Sequence, residues 1–282
     1  MILEVENPNQ ILWPETGFTK GDLVDYYTAI APVLLPHLAG RAVKLARFPN
    51  GVDRPGWFPA NVPDKPDWLP VARVKGKRGQ ELRYAVVNDL RSLVWVANLA
   101  AIELHPFLAT AERPLEATAL VFDVAPGPPA TVLDGARVAL HVRERLKKRG
   151  LTAFVKTSGA RGLHVCAPLA SGQRFDETRT LAKAVARELA KADRTLVIER
   201  VSPAERKGKV FLDWGQNDAS RALLAPYSLR ATRHPLVSTP LEWSELEAAL
   251  ERNSPRSLGF LADATLVRVK ARGDLFAPLL YR

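Results

Sequence analysis

The sequence predicts an α/β protein with mixed sheets flanked by helices, organised as two interlocked lobes. Three observations carry that expectation. Short apolar runs alternate with amphipathic stretches from residue 118 to residue 213, a capped amphipathic helix lies near the start, and a strand-like run follows a basic segment near residue 80. With 282 residues, 47% of them hydrophobic, the chain can bury a large core or two smaller ones, which excludes disordered and fibrous classes.

Taken in order, residues 19–38 begin with Thr19 as N-cap and carry Leu23, Tyr26, Tyr27, Ile30, Val33 and Leu34 at helical spacing. Pro36 and Gly40 are expected to bound this helix. From Val43 to Trp68, Pro, Gly, Asn and Asp punctuate the text around Trp57-Phe58, which reads as loop. The basic segment Arg73 to Gly79 reads as an exposed hairpin or loop, followed by a strand over Leu82–Val87. Residues 91–104 are mostly apolar and are expected to form a buried helix or turn leading into Glu103-Leu104-His105-Pro106.

The alternating region then predicts a strand over 118–124, a helix over 131–149, strands over 152–157 and 162–168, a helix over 176–192, and strands over 195–199 and 209–213. Thr239-Pro240-Leu241-Glu242 resembles a capping box with Pro in the first turn, opening a helix over 240–252. No internal repeat, low-complexity tract or long linker interrupts the text, so residues 1–282 are read as a single domain.

The formal charge of +10 points to a polyanionic partner, nucleic acid foremost. Cys166 is the single cysteine and lies in an apolar run, so an internal disulfide is excluded and burial is expected, in keeping with a reducing cytoplasm. Glu4 and Glu6 replace the basic region of a secretory leader, and no apolar run reaches membrane-spanning length; neither export nor membrane insertion is expected.

The strand ending Leu120-Val-Phe-Asp123 places Ala125 two residues on, on the same face as Asp123. An Asp-x-Asp pair there would clamp two divalent cations, whereas Asp-x-Ala supplies half of that clamp. Two further strand ends carry polar residues that a strand does not need: His164 after Ser158-Gly-Ala-Arg161-Gly, and Asp213. If the three strands are neighbours, two acids and an imidazole meet in one cleft. Taken singly, Asp before Pro-Gly is a common turn former and Ser-Gly a common hairpin. Together they fit a cation held by carboxylates and phosphates held by backbone N–H groups and Arg161. Trp57-Phe58 reads equally as a small core under a loop or as a stacking platform for a base, and Asn217 as a turn former or a site residue.

These residues also carry a resemblance. Leu12-Trp13-Pro14 with Thr19-Lys20, Arg47 to Val52, Trp95 to Pro106, Val121-Phe-Asp123, Thr157-Ser158-Gly159 with Gly162-Leu-His164, Val210 to Trp214 with Gln216-Asn217, and Ala225 to Arg230 form seven blocks in family order. The chain resembles the polymerase domain of bacterial end-joining DNA ligase D, a branch of the archaeo-eukaryotic primase superfamily that also occurs as stand-alone primase-polymerases. The resemblance runs from about Asn7 to near the C-terminus.

It implies a primase-like fold and template-directed addition of ribo- or deoxyribonucleoside triphosphates, with Mn²⁺ or Mg²⁺, at DNA ends carrying a 5′-phosphate. It also implies a cytoplasmic, nucleoid-associated place in end joining beside a DNA-end binding protein and a ligase. By position, Asp123 and Asp213 match metal-binding acids. Arg47, His105, Ser158, Arg161, His164, Arg206 and Arg230 match residues around the nucleotide, and Arg161 stands where the family usually has Lys. Asn7 and Lys20 match the 5′-phosphate pocket, and Trp57 and Phe58 an aromatic pair on template DNA. Ala125 replaces the second metal-motif acid; Gln10, Ala46 and Ala60 stand where basic residues are usual. Two readings follow: a nucleotidyltransferase weakened at Ala125, or a catalytically silent DNA-end binding or scaffolding module.

Overall fold

A computed structural model describes residues 4–59, 61–62, 65–76, 79–200 and 204–280. The elements run β1 (Ile11–Trp13), β2 (Phe18–Thr19), α1 (Lys20–Leu38), β3 (Ala42–Arg47), β4 (Val71–Lys75), β5 (Glu81–Val86), α2 (Leu90–Asn98) and β6 (Ala101–Pro106). There follow β7 (Ala119–Pro126), α3 (Val132–Lys147), β8 (Phe154–Thr157), β9 (Leu163–Pro168), α4 (Phe175–Ala192), β10 (Val197–Ile198) and β11 (Val210–Asp213). Last come β12 (Leu229–Ala231), β13 (Pro235–Val237), β14 (Pro240–Leu241), α5 (Trp243–Glu251) and α6 (Ala262–Arg272). The expected mixed α/β class is met. The chain divides into two compact units: one formed by the chain up to Pro114 with Ala222–Ser238 and Leu261–Asp274, the other by Leu115–Arg221, Thr239–Phe260 and the chain from Leu275.

In the first unit an antiparallel sheet of order β4-β5-β3-β6 packs with α1 and α2. Thr19 caps α1 through a capping box with Asp22, as its sequence position predicts. The helix runs through Pro32 and Pro36 and ends at Leu38, within the expected bounds. The apolar face of α1 survives the amide hydrogen bonds its prolines forgo, because Leu23, Tyr27, Ile30, Leu34 and Leu38 are all buried in one cluster. Burying each such side chain contributes about 1.5–3 kcal/mol. The Tyr27 hydroxyl donates to the Ile102 carbonyl at 2.6 Å, tying α1 to β6.

Two expectations fail here. Residues 42–47 form β3 inside the stretch read as loop, and α2 stops at Asn98 so that residues 101–106 are strand rather than the end of a helix. Each is decided by the other: β3 and β6 pair along their length from Val43–Pro106 to Ala46–Glu103, and neither has a strong local period. Ala100, at φ +54°, turns the chain between helix and strand. The basic segment is a hairpin as expected, β4 paired with β5 from Val71–Ala85 to Lys75–Glu81; Lys77, Arg78 and Ala60 lie outside the described residues.

The second unit is built on a mixed sheet of order β10-β11-β7-β9-β8-β14, with β10 and β11 parallel and the other pairs antiparallel. Leu120, Phe122, Val124, Val155, Leu163, Val165 and Leu212 point to one face and join Val142, Leu146, Val185, Leu189 and Leu246 from α3, α4 and α5 in one buried cluster. The residues alternating with them face the other way, among them Lys156, His164, Asp123 and Asp213. The helix expected from Pro240 starts at Trp243. Thr239 is engaged in strand pairing instead: its carbonyl accepts from Thr157 N–H, and its N–H donates to Thr157 Oγ1, both at 2.9 Å, which draws Pro240-Leu241 into β14.

Candidate active site

On the face of the second sheet turned away from α3, α4 and α5, four polar side chains form one transverse row. Lys156 pairs with His164 across β8 and β9, His164 with Asp123 across β9 and β7, and Asp123 with Asp213 across β7 and β11. Residues directly opposite on neighbouring strands point to the same face, so the two acids and the imidazole are brought together as expected. Lys156, not anticipated from the sequence, extends the row. His164 Nδ1 lies 2.7 Å from Lys156 Nζ, and its Nε2 lies 3.7 Å from Asp123 Oδ1.

Asp213 is held at both oxygens. Oδ1 accepts from the Gly215 N–H at 2.7 Å and Oδ2 from the Gln216 side-chain amide at 3.0 Å. A Cβ at position 215 would come within 2.9 Å of Oδ1, so a side chain there would displace the carboxylate from this position. Asn217 is fully buried; its side chain accepts from the Val121 N–H and donates to the Val121 carbonyl, replacing a strand partner for β7. That resolves it as a structural clamp.

Ala125 lies opposite Phe211 across β7 and β11, and the Arg206 guanidinium carbon stands 5.2 Å from the Phe211 ring centre. Where a second acid would point, the neighbourhood is therefore apolar and cationic. Among the described residues no group of three or more His, Cys, Asp or Glu side chains is placed to hold a metal. Two carboxylates do suit a hard cation that keeps waters and completes its shell with substrate phosphates, as Mg²⁺ does. They do not suit a two-ion clamp.

The loop from Ser158 to Gly162 is a tight turn after β8. Ser158 Oγ accepts from the N–H groups of Ala160 (3.3 Å) and Gly162 (3.1 Å), so those two amides serve the turn itself, leaving the hydroxyl proton as the donor Ser158 offers. Gly159 has φ +71°, and a Cβ on Gly162 would come within 2.5 Å of the Val124 carbonyl oxygen; both positions need glycine. Arg161 is exposed at the tip, where a guanidinium can take a phosphate bidentately.

The first unit carries its own polar cluster. Glu103, on β6, is buried and binds three groups: His105 Nε2 at 2.8 Å, Arg230 Nε at 3.3 Å and the Ala231 N–H at 3.0 Å. Burial alone would raise its carboxyl, but His105, Arg230 and Ala231 outweigh it and hold Glu103 below the usual range. Glu103 thus fixes two of the expected nucleotide-site residues, His105 and Arg230, a role not anticipated from the sequence. Ala46 faces it across β3 and is buried.

Trp57 and Phe58 are 46% and 55% exposed, so they are not a core under their loop. The Trp57 backbone pairs with that of Arg47, whose guanidinium carbon lies 5.4 Å from the Trp57 ring centre, and Phe58 meets His105 edge-on at 5.2 Å. Lys20 opens α1, its N–H donating to the Gln10 carbonyl at 2.8 Å, next to the turn of Asn7 to Gln10. Burial, aided by Arg47 and opposed by Glu6, lowers the Lys20 ammonium below its ordinary value. Gln10 gives its side-chain amide to the Pro49 carbonyl, a structural use of the position, while Asn7 is exposed with φ +50°.

The model of the family described as LigD, primase-polymerase domain, matches residues 19–276. The multifunctional non-homologous end joining protein LigD of Mycobacterium bovis is 39% identical over 97% of this chain, and the bifunctional LigD of Bacillus subtilis 28% identical over 97%. The chain spans 36% and 43% of the lengths of those relatives. Among solved structures, the polymerase domain from Mycobacterium tuberculosis ligase D in complex with DNA is similar with a TM-score of 0.91 and 36% identity, over 99% of this chain and 98% of that one.

Proposed function

The chain belongs to the LigD primase-polymerase family, and from that premise we propose that it is a DNA-directed nucleotidyltransferase. It adds ribo- or deoxyribonucleotides to a primer 3′-end at broken or gapped DNA bearing a 5′-phosphate. The row of Lys156, His164, Asp123 and Asp213 carries the reading, because it sets two carboxylates beside an anion donor on one face of a rigid sheet.

In this reading Asp123 and Asp213 hold a divalent cation, Mn²⁺ or Mg²⁺, with Gly215 and Gln216 fixing Asp213 for the task. When bound, the cation neutralises charge on the triphosphate and lowers the pKa of the attacking 3′-hydroxyl. Ser158, Arg161, His164 and Arg206 donate to phosphate oxygens. In the first unit, Arg47, His105 and Arg230 are assigned to nucleotide binding, the last two oriented by Glu103. Trp57 and Phe58 present exposed rings on which a template base can stack, and Lys20, the first residue of α1, and Asn7, in the turn beside it, take the 5′-phosphate.

The family match runs through both units, and we read residues 1–282 as one functional domain. A net charge of +10 suits a DNA substrate. Among the described residues no helix is long and apolar enough to cross a membrane; a cytoplasmic place at the nucleoid, beside a DNA-end binding protein and a ligase, completes the proposal. Ala125 makes the metal site one ligand poorer, so we expect turnover below that of an enzyme with the full Asp-x-Asp pair.

Primer extension on gapped, 5′-phosphorylated DNA with Mn²⁺ and ribonucleotides tests this, run beside Asp213→Ala. Extension lost in Asp213→Ala supports the assignment. Salt-sensitive DNA binding without extension in any metal would replace it with the silent end-binding module.

A further inference from the structure

The roles assigned above leave Lys156 without one, although its placement is unusual. It lies in the middle of β8, 1% exposed, with its ammonium against the imidazole of His164. Ammonium groups are rarely buried so deeply unless a specific contact offsets the lost hydration.

An ammonium has three donors and no acceptor. With Lys156 as the ammonium, His164 Nδ1, 2.7 Å from Nζ, is the accepting nitrogen, and in a neutral ring the proton is at Nε2. Nε2 faces the acid end of the row, 3.7 Å from Asp123 Oδ1. A ring in that tautomer has no lone pair on Nε2 to offer a cation. Histidines that bind metals show the opposite polarity: their second nitrogen donates to a carboxylate, carbonyl or water. Here the second nitrogen receives.

We propose that Lys156 is a positioning residue that commits His164 to donating a hydrogen bond from Nε2 toward an anionic oxygen at the acid end of the row, a phosphoryl oxygen of the incoming nucleotide, and withholds His164 from the metal. The catalytic part of this inference rests on the polymerase reading; the tautomer does not. The register makes the arrangement specific, since Lys156, His164 and Asp123 are consecutive partners across three strands.

The test uses the ¹⁵N-labelled full chain near pH 8.5, about two units above the ordinary histidine value. Long-range ¹H–¹⁵N spectra of the imidazoles are recorded, with His164 assigned by its loss in His164→Gln. His164 is expected as the Nε2–H tautomer in the unaltered protein and in Lys156→Arg, and as a mixture in Lys156→Met. An Nδ1–H tautomer in the unaltered protein, which needs no variant to fold, overturns the proposal, as does a His164 spectrum unchanged in Lys156→Met.

The same proteins are then compared in primer extension. Lys156→Met is expected to lower kcat about 10- to 100-fold, the range for losing a group that orients a site residue, with partial recovery in Lys156→Arg. A displaced tautomer with unchanged kcat would overturn the link to catalysis. Should the unaltered protein extend no primer under any condition, the polymerase reading fails while the spectra still decide the tautomer.

Discussion

Gln216 donates its side-chain amide to Asp213 Oδ2 at 3.0 Å. With the Gly215 N–H on the other oxygen, the carboxylate is held by two donors from its own turn, and its rotation is restricted before any ligand arrives. Replacing Gln216 by Ala should free one oxygen and reduce primer extension about 10- to 100-fold, the range for losing a partner that orients a metal ligand. Steady-state kinetics at several Mn²⁺ concentrations would show the loss; rates identical to the unaltered protein at every concentration would refute the role.

Ala125→Asp should increase turnover, by about tenfold or more, because it restores an acid on the face shared with Asp123. The new carboxylate would face Phe211 and the Arg206 guanidinium above it, an environment that favours its ionised form. Calorimetric titration with Mn²⁺ should show tighter binding in parallel. Tighter binding without faster extension would mean that turnover is limited elsewhere.

Glu103→Gln should destabilise the first unit by about 1–3 kcal/mol, since a neutral amide replaces a buried acceptor used by His105, Arg230 and Ala231. The pH dependence has a definite sign. The folded-state value of Glu103 is depressed, so its contribution is fully present above the ordinary glutamate value of about 4.3 and is lost as pH falls through the lower, folded value. Urea melts should therefore show the gap between unaltered protein and variant closing as the pH is taken into the acid range, whereas a gap that widens there would contradict the assignment.

Trp57→Ala and Phe58→Ala should each weaken binding of DNA with an unpaired template base by about 1–3 kcal/mol, the value of one stacked base. Both rings are largely exposed, so the melting temperature should move little. Fluorescence anisotropy separates the effects: a large thermal shift together with unchanged DNA affinity would return the pair to a packing role.

Cys166 should be inert to aromatic disulfide reagents in the native protein at pH 8 and react with one equivalent after unfolding. It is 4% exposed, and burial pushes its thiol up to about 12 against the milder opposite pull of Lys156. Rapid native labelling would show that β9 opens locally.

The sequence made legible those elements whose signal is local. Helices α1, α3 and α4 announce themselves by period, α1 also by its capping Thr19, and Asp123, His164 and Asp213 stand out as polar ends of apolar runs. What stayed hidden depends on partners far along the chain. β3 and β6 are strands because they pair with each other, and β14 because Thr157 engages Thr239. Glu103 and Lys156 look like ordinary charges until the sheets bring His105, Arg230 and His164 against them. Asn217 was legible as a turn residue but not as the side chain that completes β7.

The transverse row draws one residue from each of four strands, at positions 156, 164, 123 and 213. Side chains alternate along a strand, so a slip of one residue in any of the three pairings would send its member to the helix-covered face. A sheet assembled in the wrong register, or one still lacking β11, therefore presents an incomplete row. Competence here is a parity check on the whole sheet: under the proposed function, action on a DNA end waits on the correct register of all four strands.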